Sequence, residues 1–159
     1  MTNPILKRVA VRKYTSEKVD SEAVDHMIAA FQAAPCGMHE TDVMQLTVVE
    51  DDQLLQQIER ATDNACYDAP LLFVINVKKD RRFGQRDASC AAENIMIEAT
   101  SLDLGSIYTM SGATGLNAVP ELQEQISSPG YETCVIVAVG HSAEFPTEDR
   151  SHRYHVIRK

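Results

Sequence analysis

The stretch DASCAAENIMIEATSLDL, residues 87–104, is the most strongly helical segment of this 159-residue chain. Small and apolar residues cover most of the circumference of the helix it would form, so we expect a helix that is buried nearly all round. In a chain of this length, such a helix crosses the core or lies between two subunits. Gly105 is expected to end or bend it.

Helical and strand patterns alternate on both sides of this segment. Asn3-Pro4 predicts a short first helix to about Lys13, which would place Arg8 and Arg12 on one face. Apolar spacing predicts further helices at 21–34, from 51–52 and at 119–126, and strands at 44–50, 71–77 and 133–139. Residues 78–86 are predicted as a loop. The order indicates one layered α+β domain over residues 1–159.

The composition is that of a globular protein, with 44% hydrophobic and 24% charged residues. No apolar run reaches the roughly 18 residues of a membrane span, and the N-terminus lacks a secretory apolar region. The four cysteines lie 30, 24 and 44 residues apart, without a C-x-x-C pair. We therefore expect a cytoplasmic protein with reduced thiols, away from membranes.

The charge is divided unevenly along the chain. The net charge of −8 argues against nucleic-acid binding, yet residues 1–18 carry +4, residues 150–159 carry +4, and the remainder carries −16. Two basic ends on an acidic body could bind one anion together, most economically a phosphate. They could equally be two solvated termini, and charge alone leaves both interpretations open.

Four segments, in order, carry a family resemblance. They are ILKRVAVRKY at 5–14, APCGMH at 34–39, the 87–104 helix with GSIY at 105–108, and VIVAVG at 135–140 followed by Ala143-Glu144 and the basic tail. In this order they resemble the FMN-dependent nitroreductase family. Three departures from its usual motifs stand out: Val9-Ala10 for an arginine and a serine, His39–Val43 for N-x-Q-P-W, and Glu93 for a glutamine.

The resemblance implies a fold, a cofactor and an activity. The fold would be a mostly antiparallel central sheet flanked by helices, in a homodimer with swapped C-terminal tails. The activity would be FMN-dependent oxidation of NAD(P)H, a transient hydride donor. Reduction of a small acceptor (a nitroaromatic, quinone or enone) would follow by a ping-pong route through flavin N5. The absence of G-x-G-x-x-G and P-loop motifs agrees with FMN rather than a bound dinucleotide.

The resemblance also assigns contacts. Phosphate contacts fall to the first segment and the tail, ribityl and pyrimidine contacts to the proline turn, and contacts at the flavin edge to the segment after the long helix. The implied phosphate contacts are Arg8, Val9, Ala10, Arg12, Arg150 and Arg153. The implied ribityl and pyrimidine contacts are Pro35, Cys36, Gly37 and His39. The implied contacts at the flavin edge are Tyr108, Thr109, Met110 and Ser111. The chemistry resides on the flavin. His39 is a possible proton donor, and no histidine spacing indicates a metal.

Two other functions remain open at this stage. The altered residues at 9–10 and 39–43 suit a flavin-binding or sensing module with little turnover. An acidic α+β adaptor that binds another protein is the second alternative. A flavin absorbance in the purified protein would exclude the adaptor. Bleaching of that absorbance by NADH would favour the enzyme over the binding or sensing module.

Overall fold

A computed structural model describes residues 3–151 and 153–159. In chain order the elements are α1 (Pro4–Lys7), α2 (Ser21–Gln32), a 3-10 turn (Gly37–His39), β1 (Met44–Val49), α3 (Asp52–Ala61), β2 (Leu71–Lys78), α4 (Gly84–Ser101), β3 (Gly105–Thr109), α5 (Met110–Asn117), α6 (Pro120–Ile126) and β4 (Tyr131–Gly140). No helix among the described residues is long and apolar enough to cross a lipid bilayer.

The four strands form one antiparallel sheet in the order β1-β2-β4-β3. Side chains of β2 alternate between its faces, so Phe73 and Ile75 pack with α2 and α4, whereas Leu72 and Val74 pack with the layer of α3, α5 and α6. Because β2 and β4 are covered on both faces, their central residues 71–75 and 135–139 form continuous apolar runs. The result is a three-layer arrangement of helices, sheet and helices.

Helix α4 lies across the first face of the sheet and supplies much of its cover. Its inner residues, such as Ala91 and Ile95, are fully buried. Its outer residues Ser89 and Cys90 are exposed. The prediction of a helix is confirmed, but burial nearly all round is wrong for this chain alone, because the sheet covers one side and α2 only one flank.

The first predicted helix ends at Lys7, not near Lys13, so Arg8 and Arg12 do not share a helical face. The chain then runs extended beside β3, where Ala10 forms a parallel bridge to Ser106. The Val11 N–H donates to the Ser106 carbonyl at 3.0 Å, and the Val11 side chain is fully buried. The β-branched side chain gains more from this packing than from continuing a short exposed helix.

Residues 105–117 were not predicted as β3 and α5. The strand has only five residues and two of them are small, so it lacks a clear alternating pattern. The helix begins where the Thr109 hydroxyl accepts from the Gly112 N–H at 3.1 Å. Helix α4 also starts earlier than predicted, at Gly84 instead of Asp87.

The side chain of Asn117 makes the hydrogen bonds to β4 that further residues of β3 would otherwise make. The last pair between β3 and β4 joins Thr109 to Ile136, after which the chain turns into α5. Further along β4, Asn117 accepts from the backbone N–H of Thr133 at 2.9 Å and donates to its carbonyl at 2.8 Å. One amide therefore satisfies two backbone groups at the end of the sheet.

We expect Asn117→Leu to lower the free energy of unfolding by about 2–3 kcal/mol, because it leaves both backbone groups of Thr133 unpaired. Chemical denaturation at equilibrium measures this loss. Gln125→Leu on the exposed side of α6 is the control. Equal stability of the two variants would contradict the structural role of Asn117.

Candidate functional site

The two basic ends of the chain meet beside α4. The guanidinium of Arg150 donates to the carbonyl oxygens of Arg8 and Leu6, at 2.5 and 2.6 Å. Arg8 in turn places its Nε 3.3 Å from a carboxylate oxygen of Glu93 on α4. The tail, the N-terminal segment and the outer side of α4 therefore come together around Arg8.

Acidic side chains partly neutralise this basic cluster, which we define as Arg8, Arg150 and Arg153 with Glu93 and Glu148. Arg153 pairs with Glu148, and that hydrogen bond holds the pKa of the Glu148 carboxyl below its ordinary value. Arg150 and Arg8 lower this pKa further by their charge. Three guanidinium groups against two carboxylates leave one excess positive charge in the cluster, which suits an anionic ligand.

Arg12 lies in a different place. Its guanidinium carbon is 6.0 Å from the centre of the Tyr67 ring, in the loop between α3 and β2. Tyr67 packs with the second helical layer, whereas Glu93, the partner of Arg8, belongs to α4 on the first layer. The two arginines therefore serve different positions, although the sequence placed both at one phosphate. Val9 and Ala10, between them, are half-buried in the extended segment.

The tyrosine and cysteine beneath Arg12 are structural. The Tyr14 hydroxyl lies 2.9 Å from the Val11 carbonyl and 3.2 Å from that of Ala138, and burial raises the pKa of Tyr14 well above its ordinary value. Burial likewise raises the pKa of the Cys66 thiol to about 12. At neutral pH the thiol therefore stays protonated and is a poor nucleophile.

The proline turn is fixed to the beginning of α4. The Gly37 N–H lies 3.1 Å from both carboxylate oxygens of Asp87. A Cβ at Gly37 would come within 2.7 Å of the Phe83 ring, so only glycine fits this close approach. The next residue but one, His39, has a φ of 57° and an exposed side chain. Pro35 is exposed and Cys36 is half-buried.

The segment from Tyr108 to Ser111 joins the end of β3 to the start of α5. The Tyr108 hydroxyl lies 3.2 Å from the Ser89 hydroxyl on α4. Thr109 is buried and caps α5, which makes its role structural. Met110 and Ser111 are exposed in the first turn of the helix, where backbone N–H groups have no partner within the helix.

Helix α4 separates these segments into two groups. Ser89 and Glu93 lie four residues apart, about 40° around the helix axis, so Tyr108 and Arg8 contact one side of it. Asp87 lies about 200° from Ser89, which puts the 35–39 turn on the opposite side. One copy of the chain therefore brings the basic cluster and the 108–111 segment to one side of α4, and does not bring the proline turn to them.

Sequence reasoning missed several side chains that organise this region. Asp87 and Ser89 were assigned only to the long helix, and Tyr67 was not singled out. The position of Asp87 at the start of a helix, where a carboxylate is well placed to accept backbone N–H groups, is a usable signal. Nothing local in the sequence pairs Ser89 with Tyr108 or Arg12 with Tyr67, because both pairs join distant segments.

Comparison with known proteins assigns the family. Residues 42–141 match the model of the nitroreductase family, which is more than half of the chain. The chain therefore belongs to the nitroreductase family, as the resemblance predicted. A provisionally named NADH dehydrogenase/NAD(P)H nitroreductase from Methanothermobacter thermautotrophicus is 26% identical over 156 residues, covering 89% of this chain and 77% of that protein.

Solved structures share the fold. A nitroreductase with bound FMN from Bacteroides fragilis has a TM-score of 0.85 at 20% identity, covering 98% of this chain and 97% of that one. A second, also with bound FMN, from Desulfitobacterium hafniense has a TM-score of 0.82 at 19% identity, covering 99% and 100%. The predicted α+β fold, an antiparallel sheet flanked by helices, is confirmed.

We expect Gly37→Ala to move the proline turn away from α4, because the added methyl group collides with Phe83 and strains both hydrogen bonds to Asp87. The free energy of unfolding should fall by about 1–3 kcal/mol, measured by chemical denaturation. Gln32→Ala on the exposed end of α2 is the control and should change the free energy of unfolding by less than about 0.5 kcal/mol. A Gly37→Ala variant as stable as this control would show that the close approach to Phe83 does not matter.

Proposed function

We propose that this chain is an FMN-dependent NAD(P)H oxidoreductase that reduces a small electrophilic acceptor. The meeting of both basic ends around Arg8, next to α4 and the end of β3, is the observation that carries the proposal. Membership of the nitroreductase family and the FMN-bound structures of the same fold support it. The whole of residues 1–159 would act as one cofactor-binding domain.

The residues of the basic cluster fit the phosphate of FMN. Arg8 and Arg150 present charge-assisted donors at a partly open position, and a phosphate there would compete with Glu93 for Arg8. The exposed first turn of α5 offers the backbone N–H groups of Met110 and Ser111 to the ring edge. When bound, FMN supplies the two-electron chemistry by accepting a hydride and passing electrons on.

Arg12 would hold a separate part of the cofactor. Its position over Tyr67, away from the basic cluster, suits a polar edge of the flavin rather than the phosphate. The aromatic ring restrains the guanidinium and leaves its N–H donors available.

We further propose a homodimer in which FMN lies between subunits. The turn at 35–39 and the segment at 108–111 are held on opposite sides of α4, so one flavin can contact both only if two copies contribute. The apolar tail residues Tyr154, Val156 and Ile157 are exposed and available to a second copy. A tail that crosses to the partner would cover them.

Sedimentation of the flavin-loaded protein should give about twice the mass of the 17.6 kDa chain. Removing residues 154–159, which leaves Arg153 of the basic cluster in place, should shift the protein toward monomer and release flavin, because the apolar tail residues lose their contacts. A flavin-retaining monomer at low micromolar concentration would contradict the shared site.

The principal test is the absorption spectrum of the purified protein before and after anaerobic NADH or NADPH. The oxidised chromophore should be visible, should be FMN after heat release, and should bleach on addition of the reductant. A colourless protein that binds no added FMN would favour the adaptor. A coloured protein that neither nicotinamide reduces would favour the binding or sensing module, which the altered residues at 39–43 motivate.

The four free thiols support a cytoplasmic location.

We expect Glu93→Gln to tighten FMN binding about five- to tenfold, because it removes a negative charge that competes with the phosphate for Arg8. Fluorescence titration of the apoprotein with FMN measures the dissociation constant. Glu98→Gln, five residues further along α4 and beside His26, is the matched control and should change this dissociation constant less than twofold. Weaker binding by Glu93→Gln would contradict the phosphate assignment.

A further inference from the structure

A cavity of about 280 Å³ opens between the first turns of α4 and the adjoining ends of β2, β3 and β4. Its walls include Gln85 and Ser89 from α4, Tyr108 and Met110 from the flavin-facing segment, and Glu132 and Cys134 from β4. The volume is just below the range of drug-sized sites and suits a molecule with a single ring. Because Tyr108 and Met110 line it, the cavity adjoins the proposed flavin edge.

We infer that this cavity receives the electron acceptor, that it selects uncharged single-ring compounds carrying an oxygen acceptor, and that Tyr108 and Glu132 determine this selectivity. The inference rests on the proposed function and deepens it by naming the acceptor class. The conclusion draws on the hydrogen-bonding groups of the cavity and on its charge.

Two donors in the cavity are placed for an acceptor oxygen. The Ser89 hydroxyl donates to the Gln85 carbonyl at 2.8 Å, so the Tyr108 hydroxyl, 3.2 Å away, is the donor of their pair. A ligand oxygen can take that proton in place of Ser89 at little cost, because one hydrogen bond replaces another. The side-chain amide of Gln85 makes no hydrogen bond within the described residues and supplies the second donor. Carbonyl and nitro oxygens are the matching acceptors.

The charge of the cavity excludes anions. No lysine or arginine lines its described walls, and Glu132 has no ion-pair partner among the described residues. Burial raises the pKa of the Cys134 thiol, and the nearby Glu132 carboxylate adds to this effect, so the thiol is neutral at pH 7. A carboxylate ligand would face Glu132 without a compensating cation, and like charges in a partly buried site repel strongly.

The test uses two matched pairs of compounds that differ mainly in charge. Reduced flavin does not reduce benzamide or benzoate. Saturation-transfer NMR on the flavin-loaded protein can therefore measure their binding without turnover. The reducible pair is 4-nitrobenzamide and 4-nitrobenzoate, compared by kcat/KM. The wild type should prefer the amide of each pair by about tenfold or more.

Glu132→Gln should raise the affinity for benzoate and the kcat/KM for 4-nitrobenzoate about tenfold, while changing the values for the amides less than twofold. Tyr108→Phe should lower the affinity for benzamide about five- to tenfold. Because Tyr108 belongs to the flavin-facing segment, this affinity is compared with the wild type at equal flavin occupancy. The controls are Glu124→Gln on α6 and Tyr131→Phe, whose hydroxyl donates to the Asp42 carbonyl outside the cavity. Both should behave as the wild type.

The outcomes separate the two levels of the proposal. A protein that binds no flavin, or whose flavin no nicotinamide reduces, overturns the proposed function. A flavin-loaded, reducible protein that binds benzoate as well as benzamide, or whose preference is unchanged by Glu132→Gln, overturns the acceptor cavity. If Tyr108→Phe loses stability, the Glu132→Gln ratio still decides, because that substitution is nearly isosteric and lies on a half-buried side chain.

Discussion

The packing of α4 on the sheet is the constraint on which the rest of the structure depends. Its buried face, with Ala91 and Ile95 at the centre, is held against β2, β3 and β4, so the helix can neither rotate nor slide. Each candidate segment is then attached to a particular residue of this helix: the proline turn to Asp87, the end of β3 to Ser89, and the N-terminal segment to Glu93. Because the helix is held in place, the spacing of Asp87, Ser89 and Glu93 along it determines where the three segments lie.

The same arrangement explains how an acidic chain can offer an anion site. The chain between residues 19 and 149 carries most of the acidic residues and a net charge of −16, whereas each end carries a net charge of +4. Folding the tail back onto Leu6 and Arg8 brings Arg150 and Arg153 to Arg8, and the carboxylates of Glu93 and Glu148 moderate the field. The competition at Arg8 is therefore a property of the local ion pairs, and net charge gives no information about it.

The elements predicted well from sequence are those whose pattern and environment agree. The centres of strands β2 and β4 are continuous apolar runs because both faces are covered, and α4 has the length and spacing of a helix. The failures occur where tertiary contacts override local preference. Residues 8–11 follow a capped helix start but are drawn into extended structure by the burial of Val11 and the bridge to Ser106. Strand β3 is short because Asn117 supplies the pairing that further strand residues would otherwise give.

For the site, the sequence located the segments but could not say which of them lie together. Arg8 and Arg12, four residues apart, end on different layers because the chain between them is extended and passes along the sheet edge. The proline turn and Tyr108 approach the same helix from opposite sides, which sequence spacing alone does not reveal.

The separation of the proline turn from Tyr108 has a direct consequence for assembly. If one flavin must touch both groups, neither copy holds a complete site, and cofactor binding and subunit association become thermodynamically linked. Conditions that dissociate the subunits would then release flavin, and added flavin would strengthen the association.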